Sequence, residues 1–177
     1  TQQYERLTGI ADGTLQLRLG SGGVVEALSF SAGVAAGSLE LANYPLPLPL
    51  NRFQVTASLQ GDKVLIDDVS LALADGGSIG VSGALELGTG WAIDAAEFQI
   101  LAGSIDLRRL HAIWPAWMIR KTRDWVGGKM PQGRIEDLRL NAVTRFDGDR
   151  PRITSLDGSI TLSDARLELG RKIPAFT

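Results

Sequence analysis

The chain is predicted to be mainly β: an elongated antiparallel sheet with one short helical insertion near residues 107–127. Three observations carry this expectation. Apolar and polar residues alternate with period two along most of the chain. Gly- and Asp-rich turn signals punctuate that alternation at the spacing of a meander. The period changes once, in HAIWPAWMIRKTRDWVGG (111–128), which holds Trp114, Trp117 and Trp125 of the four tryptophans and the only histidine.

The strands follow in order. GTLQLRL sets Leu15, Leu17 and Leu19 against Gln16 and Arg18. NYPLPLPLNR (43–52) is expected to stay out of any central strand, because prolines at alternate positions remove ladder donors. It suits an extended edge segment that lays Leu46, Leu48 and Leu50 on apolar surface. FQVTASLQ places Phe53, Val55, Ala57 and Leu59 on one face, and the strand after it carries Leu71 and Leu73. SIGVSGALEL places Ile79, Val81, Leu85 and Leu87 together, and LRLNA does the same for Leu138 and Leu140. Such alternation belongs to half-buried antiparallel strands, whose successive side chains point to opposite faces. Turns are expected at ADG (11–13), GSGG (20–23), QGDK (60–63), ADGG (74–77), FDGDRP (146–151) and LDG (156–158). This punctuation predicts about ten to twelve strands.

A weak repeat runs through the strands, with an apolar residue, an Asp two positions on, and then alternating apolar residues. The copies are Ile10-Asp12-Leu15-Leu17, Ile66-Asp68-Leu71-Leu73, Ile135-Asp137-Leu140-Ala142 and Leu162-Asp164-Leu167-Leu169. The residues flanking each Asp lie an odd number of positions apart, so a regular strand would put them on opposite faces. Either a bulge near the Asp resets the phase, or the Asp marks a turn before each strand. Both readings make Asp backbone punctuation rather than a catalytic acid.

From Leu107 the apolar spacing turns helical, with Leu107, Leu110, Trp114, Trp117 and Trp125 near one face. Asp106 is placed to cap the first helix, Pro115 suits the first turn of a second, and Gly127-Gly128 suits its end. The tryptophans are expected to pack onto the sheet or its groove, leaving Arg120 and Arg123 toward solvent or lipid phosphate.

Composition narrows the function classes. At 177 residues the chain is expected to be a single β-rich segment, 1–177. Its start at Thr1 rather than Met reads as a cut from a longer protein. With no Cys, thiolate zinc sites, disulfides and cysteine nucleophiles fall away together. His111 has no nucleophile or metal partner beside it in sequence, so neither catalysis, a metal nor a cofactor is expected. A net charge of −2 with mixed signs gives no reason to expect nucleic acid. No run of 18 apolar residues is present.

The segment GSIDLRRLHAIWPAWMIRKTRDWVGGKMPQGRIEDLRLNAV resembles the AsmA-like family, in its YhdP-type branch. The matching positions are Trp114, Pro115, Arg120, Arg123, Trp125, Val126, Gly133, Ile135, Asp137 and Leu140. The likeness is specific over about 40 residues and stylistic elsewhere. It implies a twisted sheet curled into a half-pipe, within a periplasmic protein anchored to the inner membrane through a region not in this sequence. It further implies phospholipid moving between inner and outer membranes, acyl chains in the groove, and adjacent segments of the same longer chain as partners.

Physical reasoning points the same way. About ten strands at ~4.8 Å span roughly 50 Å. One helical insertion is too small to cover such a face, which must be covered, curled or filled by ligand. The expected lining is Leu15, Leu17, Leu19, Phe53, Val55, Leu59, Leu71, Leu73, Ile79, Val81, Leu85, Leu87, Leu138, Leu140, Leu167 and Leu169. The alternative is a structural or protein-interaction β-domain, a spacer whose apolar face is filled by its own side chains.

Overall fold

The computed structural model describes residues 4–21, 25–41, 46–114, 120–148 and 150–166. It is an open antiparallel sheet of nine strands, curled in the manner of a groove and carrying two short helices. The strands are β1 (Tyr4–Leu19), β2 (Val25–Leu41), β3 (Leu48–Gln60), β4 (Lys63–Leu73), β5 (Ser78–Leu87), β6 (Ile93–Gly103), β7 (Ile105–Asp106), β8 (Gln132–Asp147) and β9 (Arg150–Arg166). Helices α1 (Leu107–Ile113) and α2 (Arg120–Lys129) fall between β7 and β8.

The topology is a meander. Each strand from β1 to β5 pairs with the next, β6 and β7 share β8 as neighbour on either side of Ser104, whose φ is 52°, and β9 pairs with β8. The sheet therefore has eight strand positions, about 34 Å across at ~4.8 Å per spacing. It is narrower than expected because two turn signals lie inside long strands: ADG (11–13) within β1 and LDG (156–158) within β9. QGDK, ADGG and FDGDRP do bound strands, with Gly61, Gly76 and Gly148 at φ 62°, 93° and 57°. Those left-handed angles suit glycine, which has no Cβ to clash.

Three of the four repeat copies reset their phase beside the Asp. Asp67 is skipped where Thr56 pairs with Asp68 and Ala57 with Ile66. Glu136 is skipped between the Ile135–Leu162 and Asp137–Thr161 pairs. In β9 the register shifts around Asp164, whose φ of 50° is left-handed. The first copy departs: its irregularity lies between Thr8 and Ile10, so Ile10 falls on the polar face and is 79% exposed.

The Pro-rich segment also corrects its expectation. Its last three residues before Asn51, Leu48–Leu50, open β3, a central strand paired with both β2 and β4. Pro49 is tolerated because it lies past the last β3–β4 pair, Leu50–Leu73, while its carbonyl accepts the Ala74 N–H at 3.0 Å. Leu48 and Leu50 are buried as expected, and Leu46 is exposed.

Candidate functional site

Residues directly opposed on neighbouring strands share a face, as do residues two apart on one strand. Those two rules, applied to the pairing register, assemble a continuous apolar face from four rows of eight residues. One row runs Ala11, Val34, Phe53, Leu71, Ile79, Ala102, Leu138, Ile160. The next is Gly13, Ala32, Val55, Val69, Val81, Ile100, Leu140, Gly158. Then come Leu15, Phe30, Ala57, Ile66, Gly83, Phe98, Ala142, Leu156. The fourth is Leu17, Leu28, Leu59, Val64, Leu85, Ala96, Thr144, Ile153. The rows contain no charge, and their one hydroxyl, Thr144, is buried. The opposite face is polar, as in the row Asp12, Gly33, Gln54, Ser70, Gly80, Leu101, Arg139, Ser159.

Every described residue named as groove lining from the sequence lies on this face. Leu15, Leu17, Phe53, Val55, Leu59, Leu71, Ile79, Val81, Leu85, Leu138 and Leu140 stand in the four rows, and Leu19, Leu73 and Leu87 extend their strands in phase. Leu167 and Leu169 lie outside the described residues. The contributions of β2, β6 and β9 escaped the sequence reading. In β2 the face is built partly from Ala and Gly, which carry little alternation signal. In β6, Leu101 on the polar face blurs the pattern of Phe98 and Ile100. In β9, a bulge at Thr154 puts Ile153 and Leu156 three apart yet on one face, and the Thr154 hydroxyl donates to the Val143 carbonyl at 3.2 Å.

The helices cover one end of the face. Leu107, Leu110 and Ile113 of α1 pack with Leu41, Leu48, Leu50, Leu73, Ile105 and Ile135, and Trp114, Val126 and Met130 flank this cluster. Asp106 caps α1 as expected, its carboxylate accepting the Arg108 N–H at 2.8 Å. Arg109 of α1 forms an ion pair with Asp75 in the β4–β5 turn. Away from the helices the face is exposed on the edge strands and β2, where Leu15 is 66% exposed and Leu17, Leu19, Phe30, Ile153 and Leu156 are also exposed. On the central strands it is half-buried, and Ala96 and Thr144 are buried.

The helical segment differs from its expectation in three ways. Arg123 is not turned to solvent or phosphate: its Nε donates to the Trp114 carbonyl at 3.2 Å and its Nη2 to the His111 carbonyl at 3.4 Å. It thereby satisfies carbonyls at the end of α1 that have no intrahelical partner. Trp125 is 49% exposed rather than packed on the sheet. Gly127 and Gly128 do not stop α2, which continues to Lys129. Gly127 instead lets α1 approach, since a Cβ there would collide with the His111 ring. That ring is held below the usual imidazole range, chiefly by burial and then by the Arg123 guanidinium, with Asp124 opposing. Arg120 belongs to α2, its side chain falling outside what is described, as does the whole of Trp117 and Pro115.

Among the described residues no group of three or more His, Asp or Glu is placed to hold a metal ion. Among them, too, no helix is long and apolar enough to cross a membrane. No family model matches the chain, and no curated protein or solved structure is significantly similar to it.

Proposed function

We propose that this chain is a lipid-holding segment of a periplasmic, inner-membrane-anchored AsmA-like protein, in which phospholipid acyl chains lie on the uncovered apolar rows on their way between inner and outer membranes. One observation carries the reading: four rows of eight positions without a charge, covered by helices at one end only. Each methylene transferred to such a surface gains about 0.8 kcal/mol, so ten would contribute roughly 8 kcal/mol before ordering costs. Apolar contact of this kind asks for no polar constellation, which suits a face whose only hydroxyl is buried. The resemblance of the 103–143 stretch to the AsmA-like family supplies the compartment and the class of cargo.

The test is site-specific photocrosslinking in the purified chain, followed by lipid extraction and mass spectrometry. A crosslinking residue at Leu17 or Leu59 should capture phospholipid, and one at the adjacent Gln16 or Ser58 on the polar face should not. Equal labelling of both faces, or none, would sink the proposal. The helix-covered end favours a second reading, a structural or protein-interaction spacer, because there the face is filled by the protein's own side chains. Under that reading Leu59→Asp unfolds the domain, whereas a lipid-holding face stays folded and loses its lipid.

A further inference from the structure

The end of the sheet farthest from the helices carries an aromatic tip that the apolar rows do not explain. The turn joining β5 to β6, Thr89–Trp91, presents Trp91 at 70% exposure. Gly90 and Trp91 are both left-handed, with φ 72° and 67°. Glycine adopts that angle freely, but for a bulky side chain it is an outlier with a steric cost. A turn closed by the Gly88 N–H to Ala92 carbonyl hydrogen bond at 2.8 Å holds it there. Ile93, paired with Leu87 just behind the tip, is also exposed.

The neighbouring hairpin adds charge. Strand β6 lies beside β8, and the row on the polar face at this end runs Glu86, Ala95, Arg145, Arg152. Two arginines directly opposed across a ladder repel each other. Neither forms an ion pair among the described residues, whereas Lys63 in the same row is paired to Glu86 at 3.4 Å. The same end of the sheet thus carries an outward tryptophan and two guanidiniums without an ion pair among the described residues, a combination that suits a bilayer interface of anionic phospholipid. There the indole sits at headgroup depth and the guanidiniums meet phosphate.

We infer that the Trp91 turn and the Arg145–Arg152 pair form a contact with the surface of an anionic phospholipid bilayer. The contact would set the helix-free end of the apolar face against a source of lipid. It deepens the lipid-holding reading but stands on different residues, so the two fail separately.

The experiment is flotation of the 177-residue chain with vesicles of phosphatidylethanolamine and phosphatidylglycerol, and with vesicles of phosphatidylcholine alone. The chain should float with the anionic vesicles and far less with the neutral ones. Trp91→Ser should weaken binding by about tenfold, as expected when one large aromatic leaves an apolar contact. Arg145→Gln with Arg152→Gln should weaken it by at least ~tenfold at low salt and flatten its salt dependence. Trp125→Phe, on the helical side, should bind as the parent does, and circular dichroism confirms that each variant is folded. A chain that ignores anionic vesicles, or whose Trp91 and arginine variants float undiminished, overturns the inference. A chain that crosslinks lipid through Leu17 yet fails to float loses this contact and keeps its lipid-holding face.

Discussion

The two ends of the apolar face are built from the same residue types in the same alternation, yet they meet different surroundings. At the helical end Leu48, Leu73, Ile105 and Ile135 are fully buried. At the other, Leu15, Leu17 and Phe30 stand exposed on strands of equal regularity. The difference is therefore not one of hydrophobicity. At the helical end α1, with the flanking Trp114, Val126 and Met130, lies on the sheet as a second layer and buries large side chains. At the other end of the face, among the described residues, only the small Ala96 and Thr144 of the central strands are buried. Stability is concentrated under the helices. The bare rows keep apolar surface available without the fold depending on each of their side chains.

Truncation at matched positions puts the largest strain on this comparison. Ile135 is 0% exposed, so Ile135→Ala removes buried methyl groups and leaves a cavity, with an expected loss of about 2–5 kcal/mol. Leu17→Ala on the exposed edge strand β1 should cost less than about 1 kcal/mol, because much of the removed surface is already in water. Urea denaturation of both variants reads the difference directly. Equal costs would mean that something covers the bare rows as closely as α1 covers Ile135, and the contrast between the ends would fall.

How far the sequence revealed these two ends depends on side-chain size and on backbone irregularity. Strands such as β3 and β5 were legible because Phe53, Val55, Leu59 and Ile79, Val81, Leu85 alternate without interruption. The phase reset was legible at Asp68, Asp137 and Asp164 because a strand that must keep one face apolar cannot tolerate odd spacing without a bulge. It failed at Asp12, where the irregularity sits before Ile10 instead. Gly13 and Gly158 read as turns but lie inside edge strands, each in an apolar row against a neighbouring strand's backbone. The helical segment was legible as a change of period, while the partners of its side chains were not. Nothing in the spacing of Arg123 says that it turns back onto the carbonyls of α1, since that contact exists only once α1 and α2 are packed.

Two adjacent glycines sharpen the helical side of the comparison at a smaller scale. Both Gly127 and Gly128 lie within α2, where alanine is preferred over glycine by about 1 kcal/mol. A Cβ at Gly128 meets open space, so Gly128→Ala should stabilise the chain by up to ~1 kcal/mol. At Gly127 the added methyl meets the His111 ring, and α1 and α2 must part or the ring must turn. Gly127→Ala should forfeit that gain and lower the thermal midpoint relative to Gly128→Ala. If both substitutions stabilise equally, the helices are not in close contact there, and the cover over the buried rows is looser than the packing indicates.

Acidification probes the same contact with the smallest effect. His111 sits in the last turn of α1, where a helix terminus ordinarily favours a cation, but the Arg123 guanidinium already holds that place. Burial first, and Arg123 second, keep the imidazole below its usual range against the weaker pull of Asp124. A histidine whose folded pKa is depressed binds its proton later than the same residue in the unfolded chain. Its contribution to stability is thus fully present above pH ~6.5 and declines as pH falls from there toward the folded-state value. Water screening of the partly exposed ring keeps this loss small. Thermal midpoints compared between about pH 7.5 and about pH 5.5 should fall more for the parent chain than for His111→Gln, which has no proton to gain. The variant removes the contribution of this one group while leaving every other titratable group common to both. Parallel slopes would show that protonating His111 does not disturb the α1–α2 contact. A steeper slope in the parent would place the first loosening at the covered end of the sheet, where the stability lies.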